Sequence, residues 1–123
     1  MKRTTKKQLK AYCERVTEWV ERFRLSRWSV VVSRVDLVET LAECSADTAS
    51  MTAKITIASY MQDSDATEDV MKACAVHEVC HLLLADLMAV AYSRFTTEDE
   101  LRREEERVVL AMERCLMEVK SWA

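Results

Sequence analysis

The chain contains two histidines, His77 and His81, standing four residues apart with Glu78 directly after the first. The pattern is HExxH. With 14 glutamates in 123 positions, random shuffling produces it in roughly two chains per thousand. On a helix, residues i and i+4 lie one above the other, so both imidazoles can reach one metal ion. Neutral imidazole nitrogens are natural zinc ligands, and two of them leave room for a third protein ligand and a water. Glu78, turned about 100° around the helix from His77, flanks that water and is the candidate general base. The chemistry this predicts is hydrolysis by a zinc-activated water, with one Zn2+ per chain.

A third ligand is less plainly marked. Three consecutive acids, Glu104, Glu105 and Glu106, lie on a downstream helix. Helical phase places Glu105 on the apolar stripe of Leu101, Val108, Val109, Met112 and Leu116, and Glu106 on the face of Arg102, Arg103 and Glu113. Glu105 is therefore the expected third ligand, followed by Glu106, then Asp99, then Cys74. Tyr60, just past the last expected strand, is the candidate oxyanion donor.

Other catalytic designs are excluded by composition, because the chain has no glycine and no proline. Phosphate-cradling loops, dinucleotide fingerprints and nucleophile elbows all need glycine at fixed positions. The three-histidine zinc motif also needs a histidine that the chain lacks. A net charge of −3 carries no general pull toward nucleic acid or an anionic membrane, although Lys2, Arg3, Lys6, Lys7 and Lys10 precede the first acid, Glu14. That run reads as a solvated helix start. Five cysteines without CxxC spacing read as buried free thiols and predict a reducing, cytoplasmic setting. The basic start leads into an amphipathic stretch, which predicts no signal peptide. The apolar region Val70 to Tyr92 is broken by Lys72, His77, Glu78, His81 and Asp86, which predicts no membrane span.

The elements that position the motif follow from periodicity. Leu9, Cys13, Val16, Val20 and Phe23 predict a helix over about Thr5 to Leu25. Trp28 to Leu37, with three successive valines, predicts a largely buried strand, and Leu41 to Ala46 a weaker one. Met51 to Ser59 alternates, with Ala53, Ile55 and Ile57 on one face, and predicts a strand with one wet face. Turns fall to Asp47, Thr48 and Ser50. Asp65 with Glu68 has capping-box spacing before a helix to about Tyr92, and Thr97 with Glu100 repeats it before a last helix whose stripe runs on to Val119. The expectation is one α+β domain over residues 1–123: an N-terminal helix, a small, mainly antiparallel sheet of about three strands, an active-site helix and a glutamate-bearing helix.

The residues His77-Glu78-Val79-Cys80-His81, the continuation Leu82-Leu83-Leu84, and Glu105 to Val109 on the next helix resemble the gluzincin zinc metallopeptidases. The closest likeness is to minimal gluzincins and small phage-encoded or ImmA/IrrE-like metallopeptidases. The resemblance implies a zincin-like fold and a protein or extended-peptide substrate, held by strand addition along the edge strand before the active-site helix, here Lys54, Ile55, Thr56, Ile57 and Ala58. After Glu105 stand Glu106 and Arg107, where ImmA/IrrE-type proteins usually carry a small residue and asparagine, so repressor cleavage does not carry over. The alternative is a non-catalytic zinc-stapled domain, or a metal-free helical interaction or regulatory domain. The sequence specifies no oligomeric state.

Overall fold

The computed structural model describes residues 1–118. In chain order the elements are β1 (Lys2–Arg3), α1 (Lys6–Arg22), β2 (Ser29–Val35), β3 (Ala42–Asp47), β4 (Thr52–Ala58), β5 (Tyr60–Met61), a 3-10 turn (Asp63–Asp65), α2 (Glu68–Tyr92) and α3 (Glu98–Glu118). Among the described residues the architecture is α+β, with three α-helices and two small sheets.

Without glycine, helix ends must be made by other means. Thr5 caps α1 by accepting from the Gln8 amide while the Gln8 side chain accepts from Thr5, a reciprocal capping box. At the other end Arg24 takes φ 57°, the Arg24 amide donates to Glu21 O, and the Leu25 amide donates to Val20 O. This is a Schellman stop with arginine at the left-handed position that glycine ordinarily fills. A side chain there costs roughly 1–2 kcal/mol. Arg24→Gly should therefore stabilise the fold by about 1 kcal/mol, a rise of roughly 4 °C in Tm for a chain of this length, read by thermal melting. An unchanged or lower Tm would show that Arg24 is not strained.

The β3–β4 turn uses Asp47, whose Oδ1 accepts from the Ala49 and Ser50 amides, and Met51 at φ 56°. The turn chemistry therefore falls to an aspartate, as the sequence predicts. α2 is capped by Thr67, which accepts from the Val70 amide. The Asp65–Glu68 pair does not form that cap, because Asp65 is spent in the 3-10 turn. Thr97 accepts from the Glu100 amide at the start of α3, as its spacing predicts.

The larger sheet has the order β2-β4-β3, with β4 parallel to β2 and antiparallel to β3. It is thus mixed and not mainly antiparallel. β4 is the central strand, its Ala53, Ile55 and Ile57 buried under the helices and Thr52 and Lys54 exposed on the other face. β2 is an edge strand with Val31 exposed, not the largely buried strand that its valines predict. β1 and β5 form a two-stranded ribbon that the sequence reading does not contain. It is fastened by Thr4, fully buried, whose hydroxyl donates to Ala58 O at 2.6 Å and whose amide donates to Ser59 O.

One core joins these elements: Tyr12, Val16 and Val20 of α1, Ile55 and Ile57 of β4, and Met71, Ala75, Val79 and Leu82 of α2. α1 and α2 lie side by side, α2 packs against β3, and α3 packs against α2 through Val108, Ala111 and Cys115. By length and composition α2 is apolar enough to cross a bilayer, with a mean hydropathy of 1.6 over 18 residues. Core helices of globular domains pass the same test, and α2 buries its Met71-Ala75-Val79-Leu82 face in this core.

Candidate metal centre

α2 presents His77 and His81 to solvent and turns Glu78 inward, where it is 6% exposed. The helical angle explains the split. Glu78 lies next to the Ala75-Val79-Leu82 face, and the two histidines lie on the side away from the core. The imidazole Nε2 atoms are 3.2 Å apart, with the rings at 72° to each other. One ligand atom from each of His77, Glu78 and His81 fits within a sphere of mutual distances no greater than 4.8 Å.

The donor set fits a zinc ion. Two nitrogens bound tetrahedrally at 2.0–2.1 Å are separated by about 3.3–3.4 Å, close to the spacing between these rings. Among the described residues Glu78 makes no hydrogen bond or ion pair that would neutralise its buried carboxylate. Burial holds its carboxyl above the usual range, His77 and His81 pull it partway back, and Glu43 of β3 adds a further upward push. A cation beside it would supply that partner.

Around Glu78 stand Tyr12 of α1, Cys44 of β3 and Cys74, one turn earlier on α2. Tyr12 is fully buried and donates to Thr56 O at 3.3 Å. Burial, then the neighbouring Glu78, pushes its phenol well up. The same two causes push the Cys44 thiol up to about 11. A folded-state pKa raised in this way gives stability that is present below the unfolded value near 9 and lost as pH rises through 11. Partial exposure of Cys44 limits its share to about 1 kcal/mol. Melting temperature should therefore fall between about pH 9 and 11, and fall less in Cys44→Ala, in thermal melts across that range. Equal slopes in the two proteins would remove Cys44 from the cause.

The remaining expected site residues are elsewhere. Glu105, Glu106 and Asp99 are exposed on α3, and none of them, nor Cys74, joins the histidine group among the described residues. The reason is phase. The inward row of α3 is Glu104, Val108, Ala111 and Cys115, while Leu101, Met112 and Leu116 stay partly open, so the stripe that selected Glu105 is rotated away from the true contact face. Val119, the last residue of that stripe, lies outside the described residues.

Glu104, the acid on the inward row, is committed to Arg107 at 2.9 Å. Arg107 in turn reaches Asp86 at 3.7 Å and donates to Leu83 O. Arg27 pairs with the same Asp86. This clasp sits about 7–8 Å along α2 beyond His81, given five residues at helical rise.

Tyr60 is in β5 opposite Arg3, whose guanidinium lies 5.9 Å from its ring centroid, and it is 48% exposed outside the histidine group. The tyrosine beside Glu78 is Tyr12 of α1. Lys54 to Ala58 cannot add a substrate strand, because β4 is paired on both sides. The free antiparallel edge is β3, whose Glu43 raises the Glu78 pKa and whose Cys44 is raised in turn by Glu78. Alternation reports which face of a strand is wet and says nothing about its neighbours.

Comparison of the chain with protein-family models, with curated proteins and with solved structures finds no match.

Proposed function

We propose that the protein is a zinc-dependent peptidase acting at His77-Glu78-His81 on proteins or extended peptides, in a reducing, cytoplasmic compartment. The observation that carries the reading is the convergence, on one helix, of two exposed imidazoles and an inward-turned Glu78 that has no hydrogen bond or ion pair among the described residues. His77 and His81 hold the zinc. When bound, the ion supplies Lewis acidity, lowering the pKa of water toward about 7 and polarising a carbonyl.

Glu78 does the proton work. Its buried carboxylate is more basic than a solvated one, takes the proton from the attacking water and returns it to the leaving amine. Substrate lies along β3 and not β4, extending the sheet at its open antiparallel edge. Cys13, Cys44, Cys74 and Cys80 are free thiols, which supports the reducing compartment.

The test is incubation of zinc-loaded protein with a peptide library and mass analysis of products. Hydrolysis at defined bonds, stopped by chelation, is the expected result. No product from any sequence would overturn the peptidase.

A second reading has its own observation. Among the described residues no carboxylate of α3 joins the histidines, and the group there is two imidazoles and Glu78. A non-catalytic zinc-stapled domain needs nothing more from the site than metal and stability. It predicts zinc binding with no turnover.

A further inference from the structure

Beside His77 the surface opens into a groove of about 650 Å³ along the seam between α1 and α2. Its lining is mostly apolar, with Trp19 and Val76, and also carries Arg15, Arg22 and Lys72. Glu18 accepts from both Arg15 and Arg22 at 3.1 Å, and Glu68 lies 3.8 Å from Arg15 and 3.2 Å from Lys72. Three cations face two carboxylates, which leaves the group at +1. Glu68 is 76% exposed and so holds its partners weakly. The Arg22 guanidinium is also fixed 4.9 Å over the Trp19 ring. Cations already held in place lose little further freedom on meeting an anion.

We propose that this groove selects an acidic side chain, glutamate above aspartate, next to the bond cleaved at His77-Glu78-His81. The inference rests on the peptidase reading and adds a substrate class to it. The methylene stem of glutamate covers Trp19 and Val76 while its carboxylate meets Arg22 and Lys72. A lysine or arginine at the same place meets the surplus positive charge and is rejected.

The test uses zinc-loaded Glu78→Gln protein, so that binding is read without turnover, and a hexapeptide acetylated and amidated at its ends, so that its only carboxylate is a central glutamate side chain. Calorimetric titration compares it with the same peptide carrying glutamine or lysine there. Glutamate should bind about tenfold tighter than glutamine, the scale of one charge-assisted contact at a half-exposed site, and lysine more weakly than either. In the additional double substitution Arg22→Gln and Lys72→Gln the glutamate-to-glutamine ratio should fall to about one. Equal binding of the three peptides, no binding of any, or a ratio that survives the double substitution would overturn the groove's role. The peptidase reading fails separately. Acid-selective binding with no cleavage of these peptides by the wild-type protein would remove the enzyme and keep the groove, and cleavage without acid preference would do the reverse.

Discussion

Glu78→Gln should lower peptide hydrolysis by about 10²–10⁴-fold while leaving one zinc per chain in place. Glutamine keeps the size of the side chain and its place against Tyr12 and Cys44, but it has no carboxylate to take a proton. It also removes a buried charge with no hydrogen-bond or ion-pair partner among the described residues, so the variant should be at least as stable as the wild type when metal-free. Single-turnover rates measured alongside zinc content separate the possibilities. Undiminished cleavage would show that Glu78 is not the base. Loss of zinc together with activity would show that Glu78 is itself the third ligand, a position its distance from both histidines permits.

Removing the metal should be felt almost as strongly in stability. A ligand at a thousand times its Kd adds about 4 kcal/mol to the folded state, which for a chain of this length is about 15 °C in Tm. Thermal melting with zinc and then with excess chelator should show that drop. His77→Ala should melt at the chelated temperature whether or not zinc is present. Both imidazoles are exposed, so their loss opens no cavity, and the metal-free fold keeps its core of Ile55, Ile57, Val79 and Leu82. A zinc-independent Tm in the wild type would contradict a metal site here. Complete unfolding on chelation would favour the stapled domain over the peptidase.

The residues that read correctly from sequence are those whose neighbours are local. His77 and His81 meet because four residues of helix bring them together, and Asp47 and Thr97 make a turn and a cap with amides two or three residues away. The α+β composition and the alternation of Ala53, Ile55 and Ile57 are of the same kind. Apart from the Asp65–Glu68 cap, which Thr67 makes instead, the departures concern long-range partners. Glu105 depended on the rotation of α3 against α2, and an apolar arc wider than one contact face left that rotation undetermined. Met112 and Leu116 broadened the arc without entering the core, and Ala111 and Cys115, less conspicuous, are the residues that pack. The resemblance puts Lys54 to Ala58 on an edge, and the alternation of the strand offers no check, because it matches an edge strand and a half-covered central strand equally well. Tyr60 was chosen for following the last strand, yet β5 turns it toward Arg3 and the N-terminus. Arg24 and Met51 show how a chain without glycine meets two left-handed positions, a solution that no propensity scale would select.

Among the described residues no α3 carboxylate joins the histidine group, which makes metal content the deciding quantity. Protein purified without added zinc and dialysed against metal-free buffer should contain about one zinc per chain by inductively coupled plasma mass spectrometry, and His77→Ala and His81→Ala should contain essentially none. A wild-type protein that is consistently metal-free, and that takes up no zinc on titration, would contradict the site and with it the enzyme.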